Sequence, residues 1–356
     1  MMQILTTVND FEHMHELFIK EKPLCVAMDT EFHRQTTFYP ELSLVQITWG
    51  DHCFIMDALS HAWHKKYLHP LVCNHSLTLI MHAARQDLEI IFQMYKALPP
   101  LVFDTQIAAT FLGFKDHCSY GALVEHYMQI TLDKSQQHTE WMHRPLSYDQ
   151  LTYAAHDVVH LFDLYPLMVN DLKQQNRFEW ALEEMKSLSC LRFDEPIHSS
   201  RLARMGISKK NYFLAHALFM WRDEQARSLN YNRGRILNDK HLVILTSFRD
   251  LEKVRDYCLR HHILEDHGLL SMFLEYFEGR LTQDQGDMEE YMMASPLSVN
   301  EKEKMHKLKG YRDKKAEDLN LPPSFLASTE DMKQWISVGQ GRLATTWRHD
   351  IFKNAL

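Results

Sequence analysis

The 356-residue sequence predicts a layered α/β domain with a mixed sheet, followed by an all-helical region. In the first half of the chain, short apolar runs alternate with amphipathic helical segments, as is typical of α/β folds. After about residue 195 the strand patterns fade, and Leu214, Leu218 and Trp221 recur at helical spacing. The chain is also longer than one typical domain, so two or three domains are expected.

Four apolar runs and one shorter run predict the strands of the sheet. The first, LCVAM, is continuous and predicts a buried strand, and Gly50 and Asp51 predict a turn between the second and third. The strands are expected at 24–28, 42–50, 52–59 and 77–83, with a short fifth strand opening the segment 102–113. Helices are expected at 84–98, in the rest of 102–113, at 121–130 and at 146–172, and then from Ser208 onward with a polar linker at 283–290 and a break at 321–324.

The composition excludes several classes of protein. No apolar run approaches the roughly 18 residues of a membrane span, and the N-terminus lacks the pattern of a signal peptide. Six scattered cysteines without a C-x-x-C pair indicate reduced thiols, so we expect a cytoplasmic protein with no membrane partner. The 23 histidines join no pattern typical of a zinc site.

The charge is distributed unevenly along the chain. Residues 1–170 hold 19 acidic and 10 basic side chains, a net of −9, whereas residues 201–240 hold nine basic and three acidic ones, a net of +6. An acidic segment that can hold divalent cations, together with a basic segment, is consistent with binding an anionic polymer. The net charge of −8 for the whole chain would not suggest such a partner. A solvated helix surface is the simpler explanation of the basic stretch.

Two acids one residue apart follow the first apolar run. Residues i and i+2 of a strand share a face, so Asp29 and Glu31 are expected to project together from the end of that strand. Like charges this close raise each other's pKa unless a cation lies between them, and Mg²⁺ and Mn²⁺ prefer such oxygen ligands. A solvated strand edge would explain an isolated pair equally well.

Two further sites favour the metal hypothesis. Asp87 lies in the opening turn of a helix that follows a strand, where it can approach Asp29 at the sheet edge or serve only as a helix N-terminal charge. Tyr153 and Asp157 stand four residues apart on a helix face that Leu161 and Leu164 continue inward. A carboxylate on an inward face needs a partner, which is either a metal ion or a basic side chain.

This order of residues resembles the DEDD 3′-5′ exonucleases, in the branch that bears a tyrosine. The motifs are D-x-E at 29–31, a distal Asp87, and Y-x-x-x-D at 153–157, and the sister branch has a histidine where this chain has Thr152. Longer stretches resemble bacterial ribonuclease D: MDTEFHRQTTFYPELSLVQI, HAARQDLEIIF, FDTQIAATFLG, LDKSQQHTEWMHRPLSYDQLTYAAHDVVHL and WRDEQARSLNYN.

The resemblance implies a ribonuclease H-like exonuclease domain at 1–195 with a trailing linker helix, an HRDC-type helical domain at 205–283 and a second, diverged HRDC-like domain at 287–356. It implies two divalent metal ions, Mg²⁺ or Mn²⁺, the first bound by Asp29, Glu31 and Asp157. Asp29 would also bridge to the second ion, which Asp87 would hold directly or through water. The catalytic set would be Asp29, Glu31, Asp87, Tyr153 and Asp157.

Tyr153 is expected to orient the attacking water while remaining protonated, since a phenol has a pKa near ~10. Three further residues are candidates for substrate contact: Lys134 for a backbone phosphate, and Phe32 and His82 for the terminal nucleotide. A solvated lysine, a packed phenylalanine and a core histidine are the ordinary alternatives. Phe38 and Tyr39 in a predicted loop are candidates for base stacking.

The expected activity is a metal-dependent 3′-5′ exoribonuclease that releases nucleoside 5′-monophosphates and trims tRNA precursors and other small structured RNAs, working as a monomer. In the helical region, the basic stretch with Trp221, Tyr231 and Asn232 interleaved is expected to bind phosphates, with a protein-interaction or architectural bundle as the alternative. Two other functions remain open: a 3′-5′ exonuclease acting on DNA, since the same acids serve both substrates, and a non-catalytic nucleic-acid-binding scaffold.

Overall fold

The computed structural model describes residues 2–137, 139–193, 205, 207–266, 268–281 and 298–355. The chain divides into two compact units. The sheet unit comprises Met1–Phe32, Leu42–Leu191 and Leu297–Leu356, and the helical unit comprises His33–Glu41 and Arg192–Pro296. None of the described helices is both long enough and apolar enough to span a membrane. The predicted linker at 283–290 lies outside the described residues.

A six-stranded mixed sheet forms the centre of the sheet unit. Its strand order is β1-β4-β3-β2-β5-β6, in which β4 pairs with β1 in parallel and with β3 antiparallel, and β5 pairs in parallel with both β2 and β6. The predicted mixed sheet is therefore confirmed. The strands are β1 (Met2–Leu5), β2 (Cys25–His33), β3 (Glu41–Trp49), β4 (His52–Asp57), β5 (Thr78–Met81) and β6 (Val102–Asp104).

The predicted strands are found, with two differences. The strand expected at 24–28 runs on to His33, so Asp29 and Glu31 lie within it rather than beyond its end. It is also the second strand, because a four-residue strand and a helix capped by Thr7 precede it. Four residues are too few to show an alternating pattern, which is why the sequence did not reveal the first strand.

Helices cover the sheet and build the rest of the chain. The sheet unit contains α1 (Val8–Glu21), α2 (His69–Val72), α3 (Arg85–Tyr95), α4 (Thr105–Phe111), α5 (Tyr120–Met128), α6 (Tyr148–Gln174) and α7 (Phe178–Lys186). The helical unit contains α8 (Tyr212–Leu229), α9 (Arg233–Ile236), α10 (Asp239–Leu245), α11 (Leu251–Arg260) and α12 (Leu269–Leu281). The C-terminal segment contains α13 (Val299–Leu319), α14 (Pro323–Leu326), α15 (Thr329–Val338), α16 (Arg342–Thr345) and α17 (Arg348–Phe352).

Helix α6 is the longest in the described chain, with 27 residues. Ser147 and Gln150 form a reciprocal capping box at its start, which satisfies two backbone N–H groups that a helix end otherwise leaves free. Leu161 and Leu164 are buried, at 1% and 0% exposure. The predicted inward face of this helix is therefore confirmed.

The connection between β2 and β3, counted with one end residue of each strand as His33–Glu41, folds as part of the helical unit. Phe38 is only 6% exposed in its apolar core, with the Arg233 guanidinium 4.5 Å from the ring centre. Asn232 Nδ2 donates to the Gln35 carbonyl at 2.7 Å, and the Tyr39 N–H donates to Asn230 Oδ1 at 3.1 Å. The expectation that Phe38 stacks on a base is therefore wrong, because its ring is buried in this core.

Three arginines of the basic stretch form ion pairs within the helical unit. Trp221 and Arg222 are buried at 3% and 1% exposure, and Arg222 pairs with Asp239 at 2.6 Å. Arg233 pairs with Asp223 at 2.8 Å. The expectation that Trp221 belongs to a phosphate-binding surface is therefore wrong. Arg201 and Arg204, which belong to the same stretch, lie outside the described residues, and Arg235 pairs with Asp266 at 3.0 Å.

The C-terminal segment, residues 298–355, packs within the sheet unit. Trp347 stacks on Trp180 of α7, with ring centres 5.0 Å apart. Arg348 has no exposed surface and pairs with Glu184 of the same helix at 2.6 Å. Arg177 donates to the Leu319 carbonyl at 2.5 Å. Aromatic stacking and a buried ion pair therefore attach this segment to α7.

Candidate functional site

Three predicted acids meet beside the sheet. Asp29 and Glu31 point from one face of β2, as their spacing predicts, and Asp157 comes from α6. One carboxylate oxygen from each of the three lies within 4.8 Å of the others. Residues more than 120 positions apart in sequence thus form a set of oxygen ligands that suits a hard divalent cation.

Asp87 is the fourth predicted acid, in the first turn of α3. It is 6% exposed, and the Thr30 hydroxyl donates to its Oδ1 at 2.5 Å. Thr30 lies between Asp29 and Glu31 on the opposite face of β2. Repulsion from Asp29 raises the pKa of Asp87 after the larger effect of burial. The structure therefore places Asp87 near Asp29 and Glu31 but outside the group of three acids whose carboxylate oxygens lie within 4.8 Å of one another.

The four carboxyl groups are held in an unfavourable electrostatic environment. Burial is the largest cause that raises the pKa of each of them. Repulsion from Asp157 also raises the pKa of Asp29, and repulsion from Asp29, Asp157 and Asp87 raises that of Glu31. Bringing these groups together as carboxylates requires a positive charge, and their oxygen donors fit divalent ions such as Mg²⁺ or Mn²⁺.

Tyr153 lies one helical turn before Asp157 on α6, and the two side chains are hydrogen-bonded. That bond lowers the pKa of Asp157, against the larger raising effect of burial. Burial and then the charges of Asp157, Glu31 and Asp29 raise the pKa of the Tyr153 phenol. The phenol therefore stays protonated and donates its hydrogen bond to Asp157.

A cavity of about 230 Å³ opens beside Tyr153 and Asp157. Lys134 lines it together with Tyr120 and Gly121. A Cβ atom at Gly121 would lie 3.1 Å from Cε of Lys134, so the absence of a side chain there leaves room for the lysine to lie across the start of α5. The structure thus places a cation in the same cavity as two of the predicted site residues.

The other two candidate contacts are placed differently. The His82 ring is half-buried, with Nδ1 2.9 Å from Thr105 Oγ1, and burial lowers its pKa. These contacts are those of a satisfied packing histidine, and a substrate contact remains a prediction. Phe32 follows Glu31 in β2 and is half-buried, and its predicted contact with the terminal nucleotide also stays a prediction.

Sequence reasoning missed two residues that support the site. Thr30 binds Asp87, as described above. The Tyr120 hydroxyl donates to the His156 carbonyl at 2.8 Å, one residue before Asp157. The pKa of the Tyr120 phenol is raised by burial and then by the charges of Asp157 and Asp29. A tyrosine in the first turn of a helix is ordinary in sequence, so only the fold reveals that it adjoins the acids.

The chain resembles known nucleases along its length. Residues 2–173 match the family model described as 3′-5′ exonuclease. A ribonuclease D of Granulibacter bethesdensis is 30% identical over 341 residues, 92% of this chain and 85% of that protein. A ribonuclease D of Nitrobacter hamburgensis is 38% identical over 217 residues, and that alignment covers 60% of this chain and 57% of that protein.

The fold also matches a solved structure over the full chain. The crystal structure of Escherichia coli RNase D, described as an exoribonuclease involved in structured RNA processing, matches this chain with a TM-score of 0.83. The match covers 100% of this chain and 97% of that one, at 24% sequence identity. This likeness confirms the predicted architecture of a mixed-sheet exonuclease domain followed by helical regions.

Proposed function

The chain belongs to the ribonuclease D family of 3′-5′ exoribonucleases, and from this premise we propose that Asp29, Glu31 and Asp157, with Asp87 nearby, form the catalytic centre for hydrolysis of the terminal phosphodiester of RNA. The observation that carries the proposal is the convergence of Asp29, Glu31 and Asp157 within 4.8 Å. The products are nucleoside 5′-monophosphates, released one at a time from the 3′ end.

The family depends on divalent metal ions, and the oxygen donors of this site fit them. In our proposal, Asp29, Glu31 and Asp157 would hold one Mg²⁺ or Mn²⁺ ion, and Asp29 and Asp87 would hold a second. When bound, such ions would supply stabilisation of the charge on the attacking and leaving oxygens and would make the attacking water more acidic. Thr30 fixes the Asp87 carboxylate by a hydrogen bond and so sets its direction.

Tyr153 orients the attacking water in this proposal. Its hydroxyl is kept protonated by burial and by the neighbouring acids, and because its one proton is donated to Asp157, it can accept a hydrogen bond from a water molecule without taking the water's proton. Lys134, in the same cavity, supplies a cation for a phosphate of the RNA backbone. Phe32 and His82 complete the proposed contacts with the terminal nucleotide.

We propose tRNA precursors with 3′ extensions and other small structured RNAs as substrates. This rests on the family, and it agrees with what is stated of the Escherichia coli protein, which is involved in structured RNA processing. A monomer acting in the cytoplasm is part of the same proposal. So is the division into an exonuclease domain at 1–195, an HRDC-type domain at 205–283 and a diverged HRDC-like domain at 287–356.

The test is the pair of substitutions Asp29→Asn and Asp157→Asn. Each removes one negative charge from the ligand set and keeps the size of the side chain, so we expect near-total loss of nucleotide release from a 3′-extended RNA. Asp163→Asn is the matched control, since Asp163 is an exposed acid on the same helix. The measurement is product release at saturating Mg²⁺, with circular dichroism to verify folding.

Two results would overturn the proposal. A variant of Asp29 or Asp157 that is as active as the unchanged enzyme would exclude the metal assignment. A DNA oligonucleotide of the same sequence, digested as fast as the RNA or faster, would replace the RNA substrate with a DNA substrate while leaving the catalytic centre in place.

A further inference from the structure

Arg144 lies in the leader segment, residues 139–147, which precedes α6. Its guanidinium binds Asp57, the last residue of β4, in a two-pronged ion pair: Nε donates to Oδ2 at 2.8 Å and Nη2 to Oδ1 at 2.7 Å. Nη1 donates to the carbonyls of Trp141 at 2.7 Å and His143 at 2.9 Å, and Nη2 also reaches Ser43 of β3 at 3.2 Å. Every N–H direction of the guanidinium is therefore used.

Trp141 depends on this arrangement for its position. Its ring is 5% exposed, and its indole Nε1 has no hydrogen-bond partner among the described residues. Its carbonyl, by contrast, accepts from both Arg144 Nη1 and the Ser43 hydroxyl, the latter at 2.6 Å. The backbone at Trp141 is thus tied to two strands, and the ring is placed by that backbone and by packing.

The Trp141 ring contacts Tyr153. The two ring centres are 6.0 Å apart with the planes tilted by 40°. A second link joins the leader segment to the same helix, because Gln150 Nε2 donates to Thr139 Oγ1 at 3.2 Å. A continuous series of contacts therefore runs from Asp57 through Arg144 and Trp141 to Tyr153.

We propose that Arg144 is a positioning residue for the reaction: together with Asp57 it fixes Trp141, and through Trp141 it holds the Tyr153 hydroxyl at the angle that orients water. This inference rests on the proposed function, because it assumes that Tyr153 acts there. The decisive property is the planar guanidinium, which donates to the Asp57 carboxylate in two prongs. A lysine keeps the charge but cannot donate simultaneously to a carboxylate in two prongs and to two carbonyls.

The experiment is a double-mutant cycle between Arg144→Lys and Tyr153→Phe, measured as kcat and KM on a 3′-extended RNA. We expect Arg144→Lys to lower kcat by on the order of 10- to 100-fold with KM little changed, since misplacing a positioned group by about 1 Å has such effects. In the Tyr153→Phe background the same change should cost less than about 2-fold, because the group it positions is gone. Asp57→Asn should show the same pattern.

Arg177→Lys is the control, because Arg177 also donates to two carbonyls in the sheet unit, those of Phe111 and Leu319. It should leave kcat unchanged. Losses from Arg144→Lys and Tyr153→Phe that multiply fully would show that Arg144 acts independently of Tyr153 and would overturn the inference. A fully active Tyr153→Phe enzyme would also overturn it. If Asp157→Asn is inactive in that case, the proposed catalytic centre still stands.

Discussion

Thr30 shows what a single hydroxyl contributes to this site. It is 6% exposed, and its hydroxyl is the donor that holds Asp87. The hydrogen bond lowers the pKa of Asp87 against the stronger raising effects of burial and of Asp29. Because Thr30 and Asp87 are 57 residues apart, no local pattern links them, although each lies in a motif that the sequence analysis identified.

Replacing Thr30 with valine tests that contribution. Valine keeps the shape but removes the donor, so Asp87 should bind its ion more weakly, and hydrogen bonds to charged groups contribute roughly 1.5–3 kcal/mol. We expect the Mg²⁺ concentration for half-maximal activity to rise by about 10-fold or more, with activity recovering at high Mg²⁺. Thr48→Val, at a similarly buried threonine on β3, is the control. An unchanged Mg²⁺ requirement in Thr30→Val would contradict this role.

Some residue-level predictions from sequence succeeded and others failed for identifiable reasons. Asp29 with Glu31, and Tyr153 with Asp157, were found because strand and helix spacing place such pairs on one face. Phe38 and Trp221 were expected to contact RNA and are instead buried in the core of the helical unit. An aromatic side chain beside arginines has the same sequence signature whether it faces solvent or packs inward.

At the scale of elements, the site depends on where three segments end or begin. Strand β2 supplies Asp29 and Glu31, the first turn of α3 supplies Asp87, and α6 supplies Tyr153 and Asp157. The sequence predicted each of these elements but ended the strand too early. The apolar pattern of this strand stops at Met28. The strand itself continues to His33, and Asp29 and Glu31 lie on the face that borders the site.

This arrangement predicts how stability changes with pH. Burial raises the pKa of Asp157 to about 7, and burial together with repulsion from Asp157 raises that of Asp29 to about 8, so the folded protein holds protons that the unfolded chain releases. The stability that these groups contribute is fully present below the pKa that they have in the unfolded chain. It is lost as the pH rises through the pKa that they have in the folded protein. Without divalent ions, the unfolding temperature should therefore fall between about pH 5 and about pH 9.

Divalent ions should reverse that fall, because they neutralise the carboxylates. We expect Mg²⁺ to raise the unfolding temperature more at about pH 9 than at about pH 5, where protons compete for the same oxygens. Thermal unfolding with and without a chelator measures both effects. Asp29→Asn should flatten the pH dependence and weaken the Mg²⁺ effect, and equal slopes in the variant and the unchanged protein would contradict the electrostatic explanation.

At the scale of the whole molecule, the sequence predicted which regions are α/β and which are helical better than it predicted which segments pack together. The α/β region and the later helices were expected and are present. The attachment of residues 298–355 to the sheet unit, through Trp347 on Trp180 and Arg348 on Glu184, was not expected. Partners more than 160 residues apart leave no periodic signal in one sequence, and helix spacing shows which face is apolar without showing what covers it.

The same limit applies to the segment 33–41, in which Phe38 and Tyr39 were expected to lie in a loop. Chain connectivity places it directly after β2, yet its contacts through Phe38 and Gln35 belong to the helical unit. The sequence identifies the loop by Pro40 and its polar neighbours, but the burial of Phe38 depends on the tertiary contacts of Arg233 and Asn232.

The central claim, that divalent ions neutralise these acids and carry the hydrolysis, is tested most directly by anomalous diffraction from crystals of the protein soaked in Mn²⁺ with a 3′-terminal nucleotide. We predict two Mn²⁺ peaks about 3.5–4 Å apart, one bound by Asp29, Glu31 and Asp157 and the other between Asp29 and Asp87. Mn²⁺ peaks elsewhere on the protein, with none at these carboxylates, would contradict the account.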